Sequence, residues 1–251
     1  MKNRIIARLD VKNDFVIKGI HLEGLRKVGN PNEMAKNYYN DGADEIIFMD
    51  AVAAYYDRNS LSEIIEKACK DVFIPITVGG GIRKIEDIQR ALNSGADKTA
   101  INTKAVQNPK FIKQASEVFG SQCIVSSIDA KKISEKRWEV YVDNGREPTG
   151  KDVIEWVKEV EQLGAGEIML TSIDKEGTKK GFDMELNKMV SDVVTIPIIS
   201  SGGAGKNEDV ANVILNSDVD AVSIASLFHY NIEGIGNLKK YLSLKNINVR
   251  L

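Results

Sequence analysis

The chain has 251 residues, with 34 Lys and Arg against 36 Asp and Glu, a formal charge of −2, and 43% hydrophobic residues. A near-neutral balance and a pI of about 5.9 exclude binding driven by a basic field, which nucleic acid or an anionic membrane surface requires. Cys69 and Cys123, 54 positions apart with no metal-ligand or redox spacing, suggest neither a disulfide framework nor a zinc site and read as small buried apolar groups. No apolar run approaches the ~18 residues of a membrane span, and MKNRIIARLD passes directly into a strand-like pattern, so the cytoplasm is the expected compartment.

Short Ile- and Val-rich runs alternate with segments of helical period along the whole chain. The strands are expected at 4–9, 45–50, 74–78, 97–102, 122–128, 166–171, 196–200 and 219–224. Helices are expected near 31–41, 59–70, 84–94, 108–118, 150–163, 183–192, 206–215 and 233–243, with Asn30 before Pro31 and Asn108 before Pro109 as candidate caps. Strands that are apolar throughout are buried on both faces, which implies a parallel sheet covered by helices. Eight such units close into a (β/α)8 TIM barrel, whose usual size is about 250 residues. Segment 131–147, with its alternating WEVYV, reads as a hairpin-like extension after the fifth strand.

An internal repeat supports the barrel independently. IPITVGGGIRKIEDI at 74–88 matches IPIISSGGAGKNEDV at 196–210 with an offset of 122, and GADEIIFMD at 42–50 matches GAGEIMLTS at 164–172 with the same offset. RIIARLD at 4–10 matches CIVSSID at 123–129. The chain is therefore read as one domain, 1–251, made of two half-barrels of about 1–120 and 121–251.

The functional face of such a barrel is where strands end in βα loops. Asp10 closes the first strand and Asp129 the fifth, so two carboxylates oppose each other across the mouth and suit general acid and general base work. Glycine turns follow the third and seventh strands, Gly79-Gly80-Gly81 and Gly202-Gly203-Ala204-Gly205. Each is joined by a small polar turn after the next strand, Asn102-Thr103 or Ala225-Ser226. Two repeated phosphate cradles imply a substrate with a phosphate at each end. At the opposite end of the strands Arg4, Glu45, Lys98 and Glu167 are placed to satisfy one another as a ring of ion pairs, which by itself reads as a stabilising floor.

RIIARLDV, KGIHLEGLR, ITVGGGIR, INTKAV, FGSQCIV, SIDAKK, GAGEIMLTSID, EGTKKGFD, SGGAGK and NVRL together resemble the cyclase subunits of imidazole glycerol phosphate synthase, a branch of the histidine-biosynthesis half-barrel family. The resemblance spans the chain. It implies that Asp10 and Asp129 are the catalytic acid/base pair. It further implies that Gly81, Asn102 and Thr103 hold one phosphate, that Asp174, Gly177, Gly203, Ala225 and Ser226 hold the other, and that Lys18 belongs to a mobile loop covering the substrate.

The same resemblance turns Arg4, Glu45, Lys98 and Glu167 into a gate through which ammonia enters from a glutaminase subunit docked on the N-terminal face. The implied reaction joins ammonia to phosphoribulosyl-formimino-aminoimidazole carboxamide ribonucleotide and gives imidazole glycerol phosphate and aminoimidazole carboxamide ribotide, with no metal or organic cofactor.

Several positions depart from the family pattern. Arg8 stands where a cysteine is usual, and strand alternation places it directly below Asp10, where a guanidinium favours the ionised carboxylate and narrows the ammonia path. His21, Leu22, Lys27 and Asn30, the AlaValAlaAla run at 51–54, Tyr55, Tyr56 and Glu176 also differ. The pattern resembles divergent members linked to surface-polysaccharide or flagellar sugars, which gives a second expectation: a barrel that delivers ammonia to a separate sugar-amidating protein and cyclises weakly or not at all. The isomerase of the same family is a third and poorer match, since it needs no ammonia gate.

Overall fold

The computed structural model describes residues 2–52 and 61–251. In chain order its strands are β1 (Arg4–Lys12), β2 (Phe15–Ile20), β3 (Glu23–Gly29), β4 (Glu45–Asp50), β5 (Ile76–Gly79), β6 (Lys98–Ile101), β7 (Ile124–Ser134), β8 (Arg137–Val142), β9 (Glu147–Asp152), β10 (Glu167–Ser172), β11 (Ile198–Ser201) and β12 (Ala221–Ile224). Parallel pairing runs β1–β4–β5–β6–β7–β10–β11–β12 and returns to β1, which closes an eight-stranded barrel.

Around it lie α1 (Pro31–Asn40), α2 (Ser62–Ala68), α3 (Ile85–Asn93), α4 (Thr103–Gln107), α5 (Lys110–Phe119), α6 (Val153–Gln162), α7 (Met184–Ser191), α8 (Asn207–Ser217), α9 (Ser226–His229) and α10 (Ile235–Leu244). None of the described helices is long and apolar enough to cross a membrane.

The apolar strands are explained by burial on both sides. Ile5, Ala7, Leu9 and Val11 of β1 join the large core between sheet and helices, whereas Ile6 joins a second core inside the barrel with Ile47, Ala100, Val125, Met169, Ile199 and Ala221. Successive side chains of a strand point to opposite faces, so Arg4, Ile6, Arg8 and Asp10 stack on the inner side of β1 from floor to mouth.

The repeat extends to individual hydrogen bonds. Asp97 Oδ2 accepts from Ile76 N at 2.8 Å, and its counterpart Asp220 Oδ2 accepts from Ile198 N at 2.9 Å. Asn30 Oδ1 caps α1 through Asn32 N and Glu33 N, and Asp152 Oδ1 caps α6 through Ile154 N and Glu155 N.

The hairpin at 131–147 is present as the antiparallel pair of β7 and β8, and β9 extends it by a third strand. An equivalent excursion, β2 with β3, leaves the end of β1 at 13–29, where the sequence pattern predicts no strand. The short helices α4 and α9 were likewise missed, being too brief for a periodic pattern.

Two details are corrected. Asn108 does not cap a helix with its side chain: α5 starts at Lys110, and Asn108 lies between α4 and α5. Cys69 and Cys123 are free but only half-buried, and Cys69 Sγ donates to Gly95 O at 3.4 Å. Ala53, Ala54, Tyr55 and Tyr56 lie outside the described residues.

One buried ion pair ties the last helix to the barrel floor. Lys239 Nζ of α10 meets Asp44 Oδ1 at 2.8 Å, while Asp44 Oδ2 accepts from Ile5 N at 2.8 Å. Replacing Lys239 with Ala leaves a buried carboxylate without its cation, so Lys239→Ala should lower unfolding stability by about 3 kcal/mol in urea titration. An unchanged midpoint would show that the pair contributes nothing net.

Candidate active site

Asp10 and Asp129 are both 7% exposed and both lie at the mouth, on the inner faces of β1 and β7. Their surroundings differ. Arg8 Nε donates to Asp10 Oδ1 at 2.8 Å, and Lys18 Nζ stands 3.9 Å from Asp10 Oδ2. Burial would raise the Asp10 carboxyl, but the charges of Arg8 and Lys18 and the Arg8 hydrogen bond outweigh it and hold the group below the usual carboxylate range.

Asp129 accepts from Asn102 Nδ2 at 3.0 Å. Burial, reinforced by the charge of Asp10 and opposed by Arg8 and Asn102, pushes Asp129 up to about 6. Two carboxyls at one site are thereby driven apart, which is how one member of a pair donates while the other accepts.

The two glycine turns are not in the same state. The first opens on a cavity of about 330 Å³ lined by Arg8, Gly80, Gly81, Asn102, Thr103 and Asp129, among others. Gly80 has φ +93°, and a Cβ there would lie 2.4 Å from Asp50 O, so the turn requires glycine. Thr103 Oγ1 accepts from Asp143 N at 3.1 Å, which anchors the β8–β9 connection beside this cavity.

The second turn, with Gly177, Gly202, Gly203, Ala225 and Ser226, encloses only about 10 Å³. Lys18 and Glu176 line that space and form a buried ion pair. Burial pushes the Lys18 ammonium down to about 8, with Asp10 opposing the shift and Arg8 adding to it. The β2–β3 hairpin that carries Lys18 is clipped down, because His21 N donates to Glu176 O and His21 Nδ1 meets Ile173 O, each at 2.8 Å.

Asp174 does not line this space. Its Oδ2 accepts from Lys132 N at 2.8 Å, which turns it toward the β7 extension and away from Gly177.

At the floor, Arg4 Nη1 meets Glu45 Oε1 at 2.7 Å and Arg4 Nη2 pairs with Glu167. Lys98 Nζ lies 3.3 Å from Glu45 Oε2 and 2.9 Å from Glu167 Oε2. Both glutamates are therefore shared between two cations, and the four side chains form a closed ring.

Residues 4–233 match the family model described as "Histidine biosynthesis protein". The chain belongs to the histidine biosynthesis protein family. A curated member named imidazole glycerol phosphate synthase subunit HisF, from Legionella pneumophila, is 60% identical over 206 residues, covering 82% of this chain and 97% of the relative. Proteins of the same name from Bacillus cereus strains Q1 and ATCC 10987 are 48% and 47% identical over the full length of both chains.

Within this histidine-biosynthesis barrel, the residues that motif reading did not reach are those that depend on contacts across the mouth. Thr171 and Ser201 accept from Arg8 Nη1 at 3.1 and 3.2 Å, and inward strand position is the only sequence signal they carry. His229 is buried at the end of α9, and its Nδ1 lies 2.7 Å from the Tyr38 hydroxyl. Burial and then Lys18 push His229 down to about 4, so it is neutral near pH 7.

The raised Asp129 carboxyl has a sign-definite effect on stability. The folded protein binds its proton more tightly than the unfolded chain, so this group's contribution falls as pH rises from about 4 through about 6. Asp129→Asn removes that cost. Its stability relative to the parent should increase between pH 4 and pH 7 by about 2–3 kcal/mol, measured by urea unfolding; a difference independent of pH would contradict the shift.

Proposed function

We infer that this protein is the cyclase subunit of imidazole glycerol phosphate synthase in histidine biosynthesis. It is a lyase-type enzyme that uses ammonia to convert phosphoribulosyl-formimino-aminoimidazole carboxamide ribonucleotide into imidazole glycerol phosphate and aminoimidazole carboxamide ribotide. The observation that carries the reading is the buried pair Asp10 and Asp129 at the mouth, set between two repeated glycine turns, in a chain 60% identical to a relative named as a subunit of that synthase. The reading that the barrel only delivers ammonia to a sugar-amidating protein finds no support in the relatives described above.

The roles of single residues follow from their positions. Asp10 and Asp129 act as base and acid on the ring-closing carbon and nitrogen centres. Gly81, Asn102 and Thr103 hold one phosphate, and Gly177, Gly203, Ala225 and Ser226 hold the other once Lys18 has left Glu176. Fixing both ends places the reactive middle of the substrate between the carboxylates, which is the orientation effect that makes such a step effectively intramolecular.

The ring of Arg4, Glu45, Lys98 and Glu167 serves as the ammonia gate, beneath which a glutaminase docks on the N-terminal face. Phe73, 74% exposed just before β5 on that face, supports a partner surface there. Above the ring, the apolar layer of Ile6, Ile47, Val125 and Met169 favours neutral ammonia over ammonium. The working compartment is the cytoplasm.

With the bisphosphate substrate and ammonium salt, the isolated barrel should turn over. Asp10→Asn and Asp129→Asn should each lose about two to four orders of magnitude in kcat while keeping the native circular dichroism spectrum. Turnover near the parent rate in either variant would remove that residue from the acid/base pair. Lys98→Ala should impair glutamine-driven turnover with a glutaminase partner more than ammonium-driven turnover; equal losses in both assays would argue against the gate.

A further inference from the structure

The two halves of the barrel repeat one sequence pattern, yet their carboxylates have different partners. In the repeat that aligns residues 4–10 with 123–129, Asp10 corresponds to Asp129 and Arg8 to Ser127. Both Arg8 and Ser127 line the open cavity at the mouth. The guanidinium is 4% exposed and spans the inner surface from β1 to β10 and β11, held by Asp10, Thr171 and Ser201. Asp129 has no cation two residues before it on its strand, and its hydrogen-bond donor is the neutral Asn102.

We propose that Arg8 is the positioning residue that breaks the equivalence of the two carboxylates, holding Asp10 as the ionised proton acceptor and leaving Asp129 as the proton donor of the cyclisation. The proposal rests on the cyclase reading. Its basis is geometric: of two repeat-related positions two residues below a carboxylate, one bears a guanidinium bonded to that carboxylate and the other bears a hydroxyl.

The remaining charged or titratable groups around Asp10 reinforce this arrangement without replacing it. Lys18 approaches from β2 at 3.9 Å but is already paired with Glu176, His229 faces from α9 and is neutral, and Asp129 faces from β7 with a charge that opposes ionisation. Arg8 alone both touches Asp10 and is anchored on strands from the other half-barrel. The Thr171 and Ser201 hydroxyls hold the guanidinium from strands that do not carry Lys18, so its anchoring is independent of the β2–β3 hairpin.

The step balances without an added reactant. Ammonia condenses with the ribulosyl carbonyl, whose oxygen leaves as water; at the amidine carbon, ionised Asp10 then takes a proton from the attacking nitrogen as its lone pair forms the new bond, and protonated Asp129 delivers a proton to the departing nitrogen as its bond to that carbon breaks. The pair is reset by proton exchange with solvent after release.

The test combines carboxyl carbon NMR of aspartate-labelled protein with pH profiles of kcat/KM, measured with the bisphosphate substrate at constant free ammonia. In the parent protein Asp10 should titrate below Asp129. In Arg8→Gln the Asp10 midpoint should rise by about one pH unit or more. The acidic limb of the profile should move with it, so that kcat falls most on the acidic side, where Asp10 is no longer fully ionised, while KM changes less. Arg8→Lys, which retains the charge, should recover most of the midpoint.

An Asp10 midpoint and acidic limb unmoved in Arg8→Gln would overturn the proposal, as would parent protein in which Asp129 titrates below Asp10. If Arg8→Gln does not fold, the titration order in the parent and the Arg8→Lys midpoint decide the matter by the same criteria. Absence of turnover in the parent would defeat the cyclase reading and with it the assigned proton transfers, whereas the NMR titration separately reports whether Arg8 controls Asp10.

Discussion

A parallel strand in a closed barrel has one inward face, and along β1 that face reads Arg4, Ile6, Arg8, Asp10. A period of two residues thus stacks a floor cation, an apolar filler, a buried guanidinium and a carboxylate in one column. Closure of the eight strands places the other columns around this one in matching register, with Glu45 and Ile47 on β4, Lys98 and Ala100 on β6, and Glu167, Met169 and Thr171 on β10. The floor ring, the interior core and the mouth are therefore three levels of one geometric arrangement. A shift of one residue in any of these strands would turn a charge into the apolar layer between sheet and helices.

Burial of charge follows a different rule at each level. At the floor, two cations and two carboxylates satisfy one another, which is the condition under which desolvated ions are tolerated. At the mouth the balance is unequal: Arg8 is matched to Asp10, Lys18 is matched to Glu176, and Asp129 is left with an amide. A carboxyl buried without a cation at neutral pH is a cost to the fold, and sites of this kind are where proteins give up stability for chemistry.

Much of this architecture is legible in the amino-acid order. The eight barrel strands, the repeat with its offset of 122, both aspartates and all four floor charges can be read directly, because strand burial and glycine turns leave local signatures. The β2–β3 hairpin leaves little, since its full burial is confined to Val16, Ile17 and Lys18 of β2 and β3 has no fully buried residue. Asp174 shows what motif position leaves out: it sits three residues from Gly177, yet its Oδ2 accepts from Lys132 N of the β7 extension, a partner 42 positions away. Nor does any local pattern say that Lys18 fills the second turn while the first stays open, because that difference depends on Glu176, 158 positions away in the chain.

The paired excursions have a consequence for how such a barrel changes over time. The β2–β3 and β8–β9 segments each leave the end of a barrel strand and return to an equivalent cap, Asn30 at α1 or Asp152 at α6. Start and finish are held by the frame, so lengthening or reshaping an excursion costs only the slowly growing entropy of a longer closed loop. The mouth can therefore be rewritten with the interior layers untouched. A symmetric scaffold of this kind is free to acquire an asymmetric surface by insertion and substitution in two places that meet across the mouth, where Leu22 of one excursion lies beside Gly145 of the other.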